Sequence, residues 1–390
     1  MRAAVVGGSL GGLYAALLLQ DLGAEVDVYE RSPAELVQRG AGIGFLPESA
    51  RYLVERAGVT LDRISVATSH IRYLDRRGEL VYDGLHSYRF SSWNTVYREL
   101  VTRIRPSHYH LDHEMTGWVD DGDSVEVHLA GRPPRPVDLL VCADGVGSMA
   151  RARLLPAVRP SYAGYVAWRG MVAEACLDGA TRAVLDDAIT YYVYANSHIL
   201  AYPIPGPDGS VAPGRRLMNF VWYRNYLEGS DLDDVLTDDA GQRREISVPP
   251  GAVSERHVAE MRAVARARLP TCLARVVESV AQPFLQVVYD IEVPRMAFGR
   301  VCLLGDAAFV VRPHAAAGTA KAAADAWALA DALEHDDHVP SALARWEPGQ
   351  IALGAQLLER TRRIGRRSQF DGTWVPGDPE LIFGLRGPGL

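Results

Sequence analysis

The sequence predicts an α/β fold that is interrupted by an inserted antiparallel sheet and ends in a C-terminal helical segment. Three observations support this prediction. A glycine-rich turn, VVGGSLGG, joins an apolar strand to an apolar helix near the start of the chain. Residues 162–221 are strand-rich and aromatic, as in YAGYVAWRG and ITYYVYA. Strand and helix patterns alternate again near residues 95–155 and 285–340, which is typical of an α/β domain that carries a second sheet.

The first element is a βαβ unit. Residues 3–6 form a short valine-rich run, residues 13–22 form an unbroken apolar helix pattern that stops at Gly23, and AEVDVYER follows as a second strand. In this order Gly7 allows the tight turn, and Gly12 lets the helix approach the sheet. The free N–H groups at the start of the helix are then available to a pyrophosphate.

An acidic residue completes the pattern. Glu30 ends the second strand 23 residues after Gly7, close to the ~20 residues expected for an acid that binds a ribose hydroxyl. A bare glycine-rich turn fits a plain strand–helix connection equally well, but the whole unit indicates a Rossmann-like dinucleotide site. Ser9 departs from the G-x-G-x-x-G pattern, although its small hydroxyl is able to donate to a phosphate.

Composition narrows the class of protein. Net charge is −7 and 48% of the 390 residues are hydrophobic, which favours neither nucleic acid nor a membrane surface as partner. The N-terminus enters a strand directly, without a signal-peptide pattern, and no apolar run reaches the ~18 residues of a membrane span. The four cysteines are scattered, so we expect buried thiols in a reducing cytoplasm.

Three motifs occur in a fixed order. They are GGSLGG with Glu30 and Arg31, DGVGSMAR from Asp144, and GDAAFVVRPHAAAGTAKAAADA from Gly305. Together they resemble the single-component FAD-dependent aromatic hydroxylases of the para-hydroxybenzoate hydroxylase type. YAGYVAWRG, HILAYPIPG and PGDPELIFGL are similar to the dihydroxypyridine branch of that family, so the resemblance covers essentially the whole chain.

The resemblance implies a domain arrangement. Residues 1–70, 92–160 and 285–340 would form a discontinuous FAD-binding domain, and residues 71–91 and 161–284 a substrate domain. Residues 341–390 would form a C-terminal helix and tail, with the helix interrupted at Pro348 and Gly349.

The resemblance also implies FAD contacts. The residues that match cofactor positions are Gly7, Ser9, Leu10, Gly12, Glu30, Arg31, Gly42, Ile43, Tyr97, Met115, Asp144, Asp306, Pro313, Gly318, Thr319 and Ala320. Asp306 would accept hydrogen bonds from the ribityl hydroxyls, the alternative being a helix cap. Gly318 to Ala320 would begin a helix facing the flavin N1/C2=O edge.

Several positions depart from the family pattern. Phe309 stands where histidine is usual, alanines replace most of the G-x-G after Pro313, and Ala320 replaces an asparagine. The usual arginine of the helix after the substrate hairpin falls on Tyr97.

The implied chemistry is hydroxylation of an electron-rich ring. NADH or NADPH would reduce FAD, O2 would form the flavin C4a-hydroperoxide, and the protein would position and deprotonate the substrate without a metal. We expect His314 to act as base or hydrogen-bonding group, the alternative being a structural loop histidine.

The substrate is expected to be a small phenol or hydroxypyridine. The predicted substrate contacts are His198, Tyr202, Trp222, Tyr223 and His314, although aromatic residues on strands commonly belong to the core. A tailoring oxygenase acting on a larger natural-product ring and a non-catalytic flavoprotein that sequesters an aromatic ligand are the alternatives. A homodimer is common in the family.

Overall fold

The computed structural model describes residues 1–36 and 41–390. The strands, in chain order, are β1 Arg2–Val6, β2 Glu25–Tyr29, β3 Gly42–Gly44, β4 Val66–Leu74, β5 Leu80–Ser92, β6 Tyr109–His110, β7 Met115–Asp120, β8 Val125–Leu129, β9 Arg135–Val137, β10 Leu139–Cys142, β11 Ser161–Ala173, β12 Ala188–Tyr194, β13 Ser197–Ile204, β14 Leu217–Asn225, β15 Ser247–Val248, β16 Phe284–Asp290, β17 Ala297–Phe298 and β18 Val301–Leu303. The helices are α1 Leu10–Asp21, α2 Pro47–Glu55, α3 Leu61–Ile64, α4 Trp93–Val101, α5 Met149–Leu154, α6 Gly179–Leu185, α7 Ser230–Val235, α8 Glu255–Arg268, α9 Thr271–Ser279, α10 Gly318–Glu334 and α11 Val339–Arg366. A π-helical turn, Arg367–Asp371, continues α11.

The first sheet has six strands in the order β17-β18-β10-β1-β2-β6. The strands β18, β10, β1, β2 and β6 run parallel, and β17 pairs antiparallel at the edge. Its strands are almost continuous apolar runs because both faces are covered, as in β10, whose four residues are all buried. Helices α1 and α10 pack against each other beside this sheet, which places both helix starts near the ends of the parallel strands.

The second sheet has nine strands in the order β15-β16-β11-β14-β13-β12-β4-β5-β3. Its pairings are antiparallel except for β12 with β4. The predicted domain boundary between residues 70 and 71 falls inside β4, whose pairing with β5 starts at Val66. The three-stranded sheet β7-β8-β9 is a small addition to the first domain.

The two faces of the second sheet belong to different cores. One face packs against α8 and α9 through residues such as Trp168 and Trp222. The other face carries Tyr165, Tyr202 and Tyr223, and packs against the start of α10 and the chain after α11. This second face therefore borders the cleft between the two sheets.

The predicted break in the C-terminal helix at Pro348 and Gly349 is wrong, because α11 is continuous through both residues. A proline removes one helical hydrogen bond, but the helix buries Leu343, Trp346 and Leu353 on either side of it. Tertiary packing therefore outweighs the local preference to stop. Within the described residues, no helix combines the length and the apolar character that a membrane span requires.

Candidate functional site

The turn between β1 and α1 has the geometry of an anion-binding turn. Gly7 has a φ of +106°, which only glycine adopts readily. A side chain at Gly12 would overlap the carbonyl oxygen of Gly7, so this position requires glycine. Ser9 is the N-cap of α1 but makes no capping hydrogen bond, and Leu10 is the first helical residue. The first N–H groups of α1 are therefore free to meet an anion.

Glu30 lies buried directly after β2, at the expected position. Its Oε2 accepts a hydrogen bond from the Gly8 N–H at 2.9 Å, and its Oε1 accepts one from the Ser32 N–H at 2.8 Å. Each oxygen retains a lone pair for a further donor such as a ribose hydroxyl. Arg31 beside it is exposed.

Tyr97 is fully buried on α4 and belongs to a hydrogen-bond chain at the same turn. Its hydroxyl lies 3.1 Å from the hydroxyl of Tyr109, which donates to the Gly8 carbonyl at 3.0 Å. Tyr97 therefore supports the turn through neutral groups, where the family pattern has an arginine. Met115 begins β7 two residues after His113, whose N–H donates to the Glu30 carbonyl.

The second motif packs against the first. The carbonyl of Ala143 occupies the place where a side chain on Gly7 would project. Asp144 Oδ2 accepts from the Ala150 N–H at 3.2 Å, while the buried Oδ1 has no partner among the described residues. Arg151 donates to the Ala307 carbonyl at 3.0 Å and so joins the second motif to the third.

Asp306 follows β18 and presents its carboxylate to the cleft. The side chain is accessible to solvent but has protein atoms on several sides. It makes no hydrogen bond within the described part of the chain. Desolvation by that surrounding protein raises the pKa of Asp306 to about 6, and the positive charges of Lys321 and Arg151 act in the opposite direction. An acceptor of this kind suits hydroxyl donors.

The loop between Pro313 and α10 closes the cleft on the other side. Ala316 adopts a left-handed conformation with φ +55°, and its Cβ lies 2.5 Å from where a Cβ on Gly44 would be. A Cβ on Gly318 would meet nothing within 4 Å, so the first residue of α10 borders open space, whereas Thr319 is half-buried and Ala320 is fully buried.

Strand β3 is fixed opposite this loop. The Gly42 N–H donates to Asn219 Oδ1 at 2.9 Å, and its carbonyl accepts from Tyr202 Oη at 3.0 Å and Arg169 Nη2 at 2.7 Å. Ile43, between the two glycines, is half-buried.

These groups fit FAD. The N–H groups at two helix starts suit the pyrophosphate and the negative edge of a flavin. The Asp306 carboxylate and Asp144 Oδ1, which has no partner among the described residues, suit hydroxyl donors. The glycine at 318 leaves room beside the second helix start.

His314 lies buried at the boundary between the flavin-side loop and the second sheet. Its Nε2 is 2.7 Å from the hydroxyl of Tyr165 on β11, and its Nδ1 is buried without a partner in the described residues. Burial, with His198 and Arg312 nearby, lowers the pKa of His314 well below its usual value. The ring is therefore neutral at pH 7 and has one nitrogen free for a ligand.

An aromatic group surrounds His314. The ring centroids of Tyr223 and His198 lie 4.7 and 5.4 Å from that of His314, and Trp374 lies 4.7 Å from His198. His198 Nδ1 is 3.1 Å from Gln369 Nε2 in the π-helical turn. Desolvation lowers the pKa of His198 to about 3.

Sequence reasoning missed Tyr165, Gln369 and Trp374. Strand alternation would have found Tyr165 if the direction of β11 had been known, since Tyr165 and Arg169 share its cleft face. No local pattern marks Gln369 or Trp374, because their roles depend on where the chain runs after α11.

The structure corrects one predicted substrate contact. Trp222 is adjacent to Tyr223 on β14 and therefore points to the opposite face, where its Nε1 donates to Ser197 Oγ at 3.0 Å. Tyr202 does lie on the cleft face, but its hydroxyl is committed to the Gly42 carbonyl and its ring stacks on Phe90.

The fold and the site define a flavin-dependent oxidoreductase with a nucleotide domain on one side of the cleft and an aromatic-lined sheet on the other. A family model described as FAD binding domain-like matches residues 162–290, the antiparallel part of the chain. The chain is 38% identical to 2,6-dihydroxypyridine 3-monooxygenase of Paenarthrobacter nicotinovorans, over 98% of this chain and 96% of that protein. It is 27% identical to 6-hydroxynicotinate 3-monooxygenase of Bordetella bronchiseptica, over 98% and 94%.

Solved structures agree. The structure of 2,6-dihydroxypyridine-3-hydroxylase from Arthrobacter nicotinovorans superposes with a TM-score of 0.94 at 37% identity, covering 99% of this chain and 97% of that one. Klebsiella pneumoniae HpxO complexed with FAD and uric acid shares the fold, with a TM-score of 0.77 at 21% identity over 98% and 90% of the two chains.

The chain belongs to the FAD-dependent aromatic monooxygenases. The predicted resemblance, fold class, enzyme class and cofactor are thereby confirmed, and the non-catalytic alternative is not supported. When bound, FAD takes electrons from a reduced nicotinamide dinucleotide and, with O2, supplies the oxygen atom that enters the ring.

Proposed function

We propose that the enzyme hydroxylates a small hydroxypyridine, with the neutral His314 as the group that forms a hydrogen bond with the substrate hydroxyl. The observation that carries this proposal is the free, buried Nδ1 of His314 inside an aromatic enclosure. Relatives named for dihydroxypyridine and hydroxynicotinate oxidation support the same substrate class.

The neutral state of His314 suits this role. If the Tyr165 hydroxyl donates to Nε2, Nδ1 carries a proton and donates; in the other tautomer, Nδ1 accepts. Hydroxypyridines interconvert between hydroxyl and carbonyl forms. The imidazole of His314 matches both forms, because its Nδ1 donates in one tautomer and accepts in the other. Accepting a hydrogen bond from the substrate hydroxyl at Nδ1 increases the electron density of the substrate ring, which favours attack by an electrophilic oxygen.

The aromatic side chains around His314 are closely packed. The rings of Tyr223 and His198 pack against each other, and Trp374 contacts His198. The hydroxyl of Tyr165 forms a hydrogen bond with Nε2 of His314. These side chains pack against each other at centroid distances of 4.6 to 5.8 Å. This close packing, together with relatives named for single-ring substrates, supports a small ring over the larger ring system of a tailoring oxygenase.

We further propose that FAD lies along the residues assigned from the motifs. The adenosine end would lie at Gly7 to Glu30 with Met115 nearby, and the pyrophosphate near Ser9. The flavin would lie between Ile43 and the loop from Pro313 to Gly318. The order of these groups along the cleft supports this direction.

Substrate-stimulated oxidation of NADH and NADPH, measured against phenols and hydroxypyridines with 18O2, tests the proposal. We expect a hydroxypyridine to give the highest kcat/KM, with 18O in the product. His314→Ala should lower hydroxylation about 100-fold while FAD stays bound. Wild-type turnover in this variant would refute the role of His314, and preference for a polycyclic phenol would refute the substrate class.

A matched variant separates chemistry from packing. Tyr165→Phe keeps the ring but removes the partner of His314 Nε2, so we expect turnover to fall about tenfold with the FAD content unchanged. A second histidine, His335, is exposed at the end of α10 and serves as control, because His335→Ala should leave turnover unchanged.

A further inference from the structure

Lys321 is the only lysine in the sequence, among 41 lysine and arginine side chains. The side chain is also almost completely buried, at 1% exposure, on the first turn of α10. Arginine therefore supplies every other strongly basic side chain, including the surface ones. Lysine differs from arginine in carrying a compact point charge, without the planar fork of a guanidinium. The position thus combines an unusual residue choice with burial beside the cofactor cleft.

Asp325 fixes the Lys321 ammonium group one turn further along α10. Lys321 Nζ is 2.7 Å from Asp325 Oδ2, and the same oxygen accepts the Gly305 N–H at 3.1 Å. Gly305 has a φ of +63° and directly precedes Asp306. The ion pair therefore holds the turn that aims the Asp306 carboxylate into the cleft.

Phe309 covers the other side of the ammonium group. Lys321 Nζ lies 4.8 Å from the centroid of the Phe309 ring, within the range of a cation–π contact. A Cβ on Gly354 of α11 would lie 2.6 Å from this ring, so the absence of a side chain there makes room for Phe309. The arrangement is thus built from three elements and shields the charge from water.

We propose that Lys321 is a positioning residue for FAD, because its ammonium group, held by Asp325 and covered by Phe309, sets the orientation and the charge environment of the Asp306 carboxylate that receives the cofactor. The proposal rests on FAD binding alone and does not depend on the substrate. Four charged groups act on this carboxylate: Lys321 and Asp325 on α10, Arg151 on α5, and Asp144 through Arg151. Among the cations, Lys321 is the largest influence that lowers the pKa of Asp306.

The first test is the pH dependence of FAD affinity. The double variant Lys321→Met/Asp325→Leu replaces the ion pair by apolar side chains, which avoids leaving Asp325 buried without a partner. Loss of Lys321 raises the pKa of Asp306, and loss of the smaller, opposing influence of Asp325 offsets part of that rise. Because FAD is expected to bind the ionised form, the Kd should rise about twofold relative to wild type at pH 6, and change little at pH 8.5.

Titration of the apoprotein with FAD, followed by flavin fluorescence, gives both Kd values. A ratio of variant to wild-type Kd that is the same at both pH values would overturn the proposal. In an Asp306→Asn background the pH-dependent part should vanish, since the titrating group has been removed. A pH-dependent change in Kd that persists in this background would also contradict the proposal that Lys321 acts through Asp306.

A matched ion pair provides the control. Arg216 and Glu174 form a buried pair at 2.6 Å at the end of β11, on the other sheet. The variant Arg216→Met/Glu174→Leu should leave the Kd for FAD unchanged at both pH values. A similar pH-dependent loss in this control would assign the effect to general destabilisation.

A second measurement uses the wild-type chain. Incorporation of lysine labelled with 13C at Cε gives a single side-chain resonance, because the chain has one lysine. Addition of FAD to the apoprotein should shift this resonance, whereas NADH alone should not. An unchanged resonance in the FAD complex would refute the proposal even if the double variant failed to fold.

Discussion

The two sides of the cleft recognise their ligands in different ways. The cofactor side uses backbone groups and conformations: the turn at Gly7, the starts of α1 and α10, and the loop at Ala316. On the proposed substrate side, the contacts would come from side chains of distant segments, such as His198, Tyr223 and Gln369. Backbone recognition needs particular residues at fixed spacing, whereas side-chain recognition needs only that several strands be in register.

The comparison predicts that the cofactor side is the less tolerant of small changes. The methyl group of Gly12→Ala would overlap the carbonyl oxygen of Gly7, so the backbone of the turn must move. We expect a loss of about 3 kcal/mol in the free energy of unfolding, and purification without FAD. Urea unfolding and the flavin absorbance of the purified protein measure both effects.

Gly179→Ala is the matched control for this change. A Cβ at Gly179 meets nothing within 4 Å, and the residue opens helix α6. We expect the unfolding free energy to stay within about 0.5 kcal/mol of wild type. Stoichiometric FAD in Gly12→Ala would show that the turn adapts to a side chain. It would contradict the expectation that the cofactor side tolerates less change than the substrate side.

Acid should affect the two sides with opposite sign. Burial holds the pKa of His198 near 3, below the ~6.5 of the unfolded chain, so only the unfolded state gains this proton as the pH falls below 6.5. This contribution to stability is complete above pH 6.5 and declines by about 1.4 kcal/mol per pH unit below it. Asp306, with its pKa raised to about 6, takes up a proton in the folded state first and offsets part of the loss.

The variant His198→Phe isolates the histidine contribution. Between pH 6.5 and pH 5, its unfolding free energy should fall less steeply than that of the wild type by about 1.4 kcal/mol per pH unit. Urea midpoints measured along the pH series give both slopes. Equal slopes would mean that His198 is protonated in the folded protein.

Tyr223 and Trp222, which are neighbours on β14, test whether the two faces of one strand have separate roles. Tyr223→Phe removes a hydroxyl on the cleft face, so kcat/KM should fall about tenfold while stability changes by less than ~0.5 kcal/mol. Trp222→Phe changes the opposite core, so stability should fall by about 1–2 kcal/mol with kcat/KM within about twofold. Steady-state kinetics and thermal unfolding of both variants reveal whether the two faces act separately. The reverse pattern would place Trp222 in the site.

The smallest effect is expected at Ser9. Its side chain makes no capping hydrogen bond in the structure, and serine and glycine at an N-cap differ by only a few tenths of a kcal/mol. Ser9→Gly should therefore change the Kd for FAD by less than about threefold. A larger loss would show that the Ser9 hydroxyl donates to a phosphate.

The same contrast explains which features were predictable. The βαβ unit and its turn glycines follow from short-range patterns, because the turn needs a backbone conformation that glycine adopts readily. The continuity of α11 through Pro348 did not follow, since it depends on packing against residues far away in sequence.

The substrate side was only partly predictable. The motif pointed to His314 and the aromatic strand pointed to Tyr223, and the structure places these two side chains next to each other. Trp222 was assigned to the wrong face because the alternation of side chains was visible but its phase was not. Gln369 and Trp374 enter the enclosure through the path of the chain after α11, which no local pattern specifies.

Because the chain has a single lysine, its net charge changes less in alkali than that of most proteins. Most proteins lose many positive charges near pH 10, as their lysine side chains release protons. Here that charge comes from arginines, which stay protonated, and burial raises the pKa of several tyrosines, including Tyr14 and Tyr165. The electrophoretic mobility of the enzyme should therefore stay nearly constant from about pH 9 to about pH 11, where the mobility of a lysine-rich protein of equal size changes steeply.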